Sequence, residues 1–193
     1  MGVPAMNRNW LPTILLLAAG LGCSDPTSPQ TGQVRVLLTD APIDLSSVTA
    51  VNVTVQSLEL FQTDTADTAG MEMQRPGVST GEGLTLNLLD FQNGATTPVA
   101  MLDAPAGDYQ KLRMHIGAAE LVRPDPNDPA LSIVESIFVP SSKVDIPVPF
   151  TVTGGESTEI TLDFDAALSV QVNETPGGHP YILRPVIVPA SVN

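Results

Sequence analysis

Two stretches decide the fold: Glu159-Ile160-Thr161-Leu162-Asp163-Phe164-Asp165 and Lys111-Leu112-Arg113-Met114-His115-Ile116. In both, apolar and polar residues alternate strictly, the period-two pattern of a strand with one face buried. Working outward, Val34, Val36 and Leu38 alternate with Gln33 and Arg35, and Val51, Val53 and Val55 with Asn52 and Thr54. The apolar phase then slips to Leu58 and Leu60, which predicts a β-bulge near Gln56-Ser57. Leu84, Leu86 and Leu88 begin another strand, and Leu168, Val170 and Val172 a further one. Tyr181 to Val188 reads as a closing strand, in which Pro185 marks an edge or a bulge. Residues 62–83, rich in Thr, Asp and Gly, read as a long mobile loop. Short helical turns are expected only after Asp40 and Asp90. Short strands with one apolar face each, punctuated by Pro and Gly, predict an all-β antiparallel sandwich over residues 33–190.

Ahead of that domain the chain changes character. Arg8 gives a thin positive region, and Leu11 to Leu21 is apolar but too short for a bilayer span, which needs about 20 residues. Gly20 and Gly22 then lead into Cys23, the only cysteine. The arrangement resembles a bacterial lipoprotein signal, although Gly20 stands where such signals usually carry Leu and Leu21 follows it. The alternative is an ordinary cleaved secretory peptide with an incidental thiol. A lone cysteine in an exported protein is a reactive liability, which favours lipidation. The resemblance implies that residues 1–22 are removed and that Cys23 becomes a lipidated N-terminus. Residues 23–32, polar and Pro-bearing, then form a tether. Ser24 after the cysteine implies the outer membrane of a two-membrane bacterium, facing the periplasm or the surface.

Composition narrows the partners. Hydrophobic residues make up 42% of the chain, in the globular range. Losing Arg8 with the leader takes the basic count from 8 to 7 against 21 acidic residues, so −13 becomes −14. Such a surface repels nucleic acid and anionic headgroups. It attracts divalent cations or simply keeps the domain soluble. Trp10 leaves with the leader, so the aromatic platforms common in sugar sites are scarce.

Leu102-Asp103-Ala104-Pro105-Ala106-Gly107-Asp108-Tyr109 resembles the turn-into-strand motif of prealbumin-like sandwiches, the carboxypeptidase-regulatory and carbohydrate-binding-like modules. In it Pro105 sets the turn, Gly107 supplies a permissive φ and Tyr109 caps the core edge. A wider resemblance runs through Val34-Arg35-Val36-Leu37-Leu38-Thr39-Asp40-Ala41-Pro42 and Leu88-Leu89-Asp90-Phe91-Gln92-Asn93-Gly94. It continues through the Ala-Gly-Asp-Tyr turn with Leu112-Arg113, through Leu162-Asp163-Phe164-Asp165-Ala166, and through Tyr181-Ile182-Leu183-Arg184-Pro185-Val186-Ile187. Together these are similar to domain-of-unknown-function family 4382, found mainly in exported prokaryotic proteins. The family implies a fold and a location but no activity.

Several acidic residues are candidates for chemistry. Asp40, with Asp44 beyond Pro42, reads as the cap of a short helical turn bonded to the Ile43 N–H, or as a cation ligand. Asp163 and Asp165, two apart on one strand, project from the same face and could chelate Ca2+ or act as acid and base. Unless a cation, Arg184 or Arg113 lies opposite, their like charges repel. The stretch Asp125-Pro126-Asn127-Asp128 clusters oxygen side chains but lacks the glycine and distal glutamate of an EF-hand. His115 shares a polar face with Lys111 and Arg113, and His179 falls in a hairpin loop; neither has a partner at metal-ligand spacing. No nucleophile elbow, phosphate loop or dinucleotide fingerprint is present. The expected function is a lipid-anchored, non-catalytic binding or structural module for an envelope protein or polysaccharide, without a resident cofactor. The rival is a carboxylate- or Ca2+-dependent hydrolase using Asp40, Asp163 and Asp165.

Overall fold

The computed structural model describes residues 2, 30–40, 47–63, 72–76, 83–173 and 177–193. The leader, Cys23, most of the tether and Asp44 lie outside these residues. Strands dominate: β1 (Thr31–Thr39), β2 (Ala50–Thr63), β3 (Glu72–Pro76), β4 (Leu84–Asn87), β5 (Thr97–Pro105) and β6 (Gly107–Pro124) come first. They are followed by β7 (Ser132–Ile137), β8 (Lys143–Val152), β9 (Ser157–Phe164), β10 (Val170–Val172), β11 (Tyr181–Leu183) and β12 (Ile187–Val192). The described helix is one 3-10 turn, Leu88–Phe91, and one α-turn, α1 (Ala166–Ser169).

The protein is all-β, as the alternation requires. One sheet runs β12-β9-β1-β5. The second is built on β2 and β6, each long enough to serve two partners in succession: β4 then β3 on β2, β8 then β7 on β6. The inner faces of both sheets feed one core, with Val36, Leu38, Leu60, Met114, Ile146, Leu162 and Phe164 all buried. These features are those of a β-sandwich. Among the described strands, pairing is antiparallel except that β1 and β9 run parallel, from Gln33 opposite Ser157 to Thr39 opposite Asp163; an isolated bridge between Phe138 and Ile182 is also parallel. A parallel pair needs a long crossover, and here the whole second sheet supplies it.

The bulge expected near Gln56 is present and has a counterpart. Thr54 pairs with Ala118, Val55 with Ile116, and Ser57 with His115, so Gln56 and Gly117 are both passed over. The slip keeps Val53, Val55, Leu58 and Leu60 on the buried side of β2, and Ile116 and Ala119 on that of β6. Gln56 lies over Gly117, where an added Cβ would stand 2.5 Å from its Nε2. The β5–β6 turn carries the chain from one sheet to the other. There the buried Tyr109 donates its hydroxyl to the Pro105 carbonyl at 2.9 Å and stacks on Phe150 with ring centroids 5.0 Å apart. Gly107 has φ +149°, and a Cβ at that position would strike Gln62.

Four expectations need correction. Residues 62–83 are not one loop, because Glu72–Pro76 pairs with Glu59–Thr63 as β3. Thr31 and Gly32, expected in the tether, pair with Pro105 and Ala104. Leu168 lies in α1 and is exposed, so the strand begins only at Val170. Tyr181 to Val188 is two strands: β11 pairs with β10, the chain breaks at 184–186, and β12 joins β9 at the edge of the first sheet. Proline's missing N–H and fixed φ at Pro185 end the first strand instead of bulging it.

Candidate functional site

Parallel pairing of β1 and β9 brings both carboxylate motifs to the same end of the first sheet. Asp40 follows β1 and is 3% exposed. Its Oδ1 accepts the Ala166 N–H at 2.9 Å, and its own N–H donates to the Phe91 carbonyl at 3.1 Å. Burial pushes its carboxyl up to about 6 from 3.8; hydrogen bonds from Ala166 and Gln92 pull the other way, and the nearby Asp163 and Asp165 charges raise it further. Asp165 is not on the strand with Asp163. It is the N-cap of α1, and its Oδ1 accepts the Leu168 N–H at 2.8 Å. The two carboxylates therefore do not form the expected same-face pair. Among the described residues neither cation proposed to face them forms an ion pair with them: Arg113 holds Asp145, and Arg184 lines a cavity described below. The sequence candidates Asp40, Asp163 and Asp165 are thus neighbours, but two of them hold the backbone of α1. Asp40 accepts the N–H of Ala166 at the start of α1, remote in sequence, whereas Ile43, its expected partner, lies outside the described residues. Among the described residues no group of three or more His, Cys, Asp or Glu could hold a metal ion.

The other motifs lock onto the same corner. Asn87 Oδ1 accepts from Leu89 N at 3.3 Å and Val51 N at 3.1 Å, which sets the 3-10 turn. That turn presents the Phe91 carbonyl to Asp40 N and to Thr39 Oγ1 at 3.1 Å. Buried Ser169 accepts from Val186 N at 2.8 Å through its hydroxyl and from Arg184 N at 2.8 Å through its carbonyl. The chain crossing at 184–186 is thereby tied to α1.

A second region lies on the outward face of β6 and β8. Arg113 Nε and Nη2 both engage Asp145, the latter at 2.9 Å, and Lys111 Nζ donates to it at 3.3 Å. These bonds hold the Asp145 carboxyl at about 2, well below 3.8. Both cations also lie over the Phe61 ring, at 4.5 and 4.8 Å from its centroid. His115 Nε2 stands 3.3 Å from Glu59 Oε1, so the polar face expected for His115 is present. Beside this network, between the start of β8 and the β11–β12 link, is an open cavity of about 430 Å3. Pro140, Val144, Leu183 and Pro185 give it apolar walls, and Lys143 and Arg184 supply charge.

The family model described as Domain of unknown function (DUF4382) matches residues 31–185. The chain belongs to this family. No curated protein and no solved structure matches it. The DUF4382 match opens at the first residue of β1 and closes where the chain turns toward β12. The matched span includes the Asp40 corner, where β1, β9, α1 and the 3-10 turn are joined.

The remaining candidates in this DUF4382 domain are accounted for locally. Asp125 and Asp128 accept from Asn127 N at 2.8 Å and Ala130 N at 3.1 Å, two Asx turns. His179, in the β10–β11 loop, stacks on Phe138 with ring centroids 4.4 Å apart. The cavity with Lys143 and Arg184 escaped sequence reasoning because its residues lie about 40 apart and share no motif. The one available signal was the alternation Val144-Ile146-Val148-Phe150-Val152, which marks β8 but is masked by Pro147 and Pro149. Both prolines face outward on an edge strand, where they are tolerated.

Proposed function

We propose that this DUF4382 chain is a non-catalytic binding module of the bacterial cell envelope, built on a prealbumin-like sandwich and held to the outer membrane by lipid on Cys23. The observation that carries the reading is the engagement of Asp40 and Asp165 with the backbone of α1, which makes the motif carboxylates fold-building groups. Binding then falls to concave surface between elements, and the partner is an envelope protein or polysaccharide. No resident cofactor enters this reading.

Thermal unfolding of the full chain in EDTA and then in excess Ca2+ tests it. A Ca2+ ion at 100 times its Kd adds about 2.7 kcal/mol, a rise of several degrees for a domain of this size. The expected result is no Ca2+-specific rise. A rise that Asp163→Asn abolishes overturns the cofactor-free module and returns the Ca2+-dependent hydrolase. For the anchor, the full chain expressed in a two-membrane bacterium should incorporate labelled palmitate and sediment with membranes, and Cys23→Ser should lose both. A soluble, unlabelled product with a free thiol would refute lipidation.

A further inference from the structure

The described cations divide unevenly. Arg35 holds Glu159, Arg123 holds Glu135, and Lys111 and Arg113 hold Asp145. Lys143 and Arg184 make no ion pair among the described residues, and both line the same 430 Å3 cavity. In a chain with 21 acidic and 8 basic residues, almost any exposed cation can find a carboxylate. Two left without one at a single concavity mark it as the place where this acidic surface accepts negative charge.

The positions are also prepared in advance. Ser141 Oγ donates to the Lys143 carbonyl at 2.9 Å and accepts the Lys143 N–H at 3.3 Å, which fixes the backbone that carries the ammonium. Arg184 is fixed by its N–H to the Ser169 carbonyl at 2.8 Å. Neither side chain is tied down, so both charged heads are available to a ligand. Asp145 also borders the cavity, but its charge is offset by Arg113 and Lys111. The volume falls within the range of about 300–1,000 Å3 typical of ligand sites.

We infer that this cavity binds an acidic peptide segment of a partner protein, with carboxylates on Lys143 and Arg184 and an aliphatic side chain against Pro185, Val144 and Pro140. The walls favour peptide over sugar: they carry aliphatic groups and proline but no aromatic ring on which a pyranose would stack. A guanidinium fork beside an ammonium matches carboxylate oxygens. The inference rests on the binding-module reading and names its site and ligand class.

The test is fluorescence anisotropy of the full chain with a labelled decapeptide alternating leucine and aspartate, against the same peptide with asparagine for aspartate. The acidic peptide should bind more tightly, and the difference should shrink with added salt. Arg184→Gln and Lys143→Gln should each weaken it by about tenfold, the scale of one charge-assisted hydrogen bond. Arg35→Gln, on the other sheet, should leave it unchanged, and melting temperatures should stay within about a degree of the parent because neither cavity cation is paired. Equal binding of the two peptides, or indifference to both cavity substitutions, overturns the inference. An oligogalacturonate that binds at Arg184 when the peptide does not would assign the cavity to a polysaccharide and overturn it too. A parallel sedimentation assay of the Cys23→Ser chain, which lacks the lipid, with envelope fractions separates the two levels. Retained, cavity-independent binding defeats only the inference, whereas no binding to envelope material defeats the module reading as well.

Discussion

Asp40 and Asp145 are the same residue type in opposite circumstances. Asp40 sits at the closed end of the first sheet, 3% exposed, with its carboxyl raised to about 6 by burial. Asp145 sits on an open strand face, 42% exposed at its side chain, with its carboxyl lowered to about 2 by Arg113 and Lys111. The first acts through a backbone N–H and at the cost of desolvation; the second acts through cations and remains hydrated. The comparison teaches that a motif aspartate can serve as a neutral-leaning structural acceptor, while an aspartate outside any motif sets up a charged surface.

Removing each group should separate the two roles most strongly. Asp40→Ala leaves the Ala166 N–H buried without its acceptor and should cost about 2–3 kcal/mol in urea unfolding at about pH 5. A loss below about 0.5 kcal/mol would mean that the corner relaxes or hydrates. Proton linkage should then differ in sign. Between 3.8 and about 6 the folded chain holds an Asp40 proton that the unfolded chain has released. This contribution is largest on the acid side and declines as pH rises through about 6, by about 1–3 kcal/mol in all. Asp40→Asn keeps the acceptor and removes the titration, so its stability should fall less than the parent's between about pH 4 and 7. Equal slopes would remove Asp40 as the buried acid. Asp145 behaves oppositely, stabilising above 3.8 and losing that effect as pH falls through about 2.

Smaller effects sharpen the contrast. Ser169→Ala removes the acceptor of Val186 N and should cost about 1–2 kcal/mol, with the loss localised by hydrogen exchange to residues 184–188. Asp145→Ala should cost no more than about 1 kcal/mol, and less in high salt, because its partners are hydrated when released. A larger loss there would make the outward face as structural as the corner.

Much of this was legible in order of locality. Period-two alternation marks β1, β2, β6 and β9, and the slip from Val55 to Leu58 marks the bulge, because a strand's buried face is a local property of its sequence. The Pro- and Gly-bearing turn before Tyr109 was legible for the same reason. Strands β7 and β8 were not: β7 gives the core only Ile137 and leaves its other residues exposed or half-exposed, and β8 carries two prolines that argue against a strand until its edge position is known. Asp163 and Asp165 looked equivalent because alternation was extended one residue too far. Where a strand stops depends on whether the next carboxylate finds a helix N–H, and Asp165 finds Leu168.

By itself, the sequence determined the all-β class, the inner and outer faces of the principal strands, the acidic surface, and membership of the DUF4382 family. Those properties depend on side-chain polarity at near spacing. Only the tertiary structure decided that β1 and β9 run parallel, that Asp40 meets Ala166 across the chain, and that Lys143 and Arg184 share a cavity. Each is a contact between segments far apart in sequence, and it exists only after the two sheets have closed on their common core.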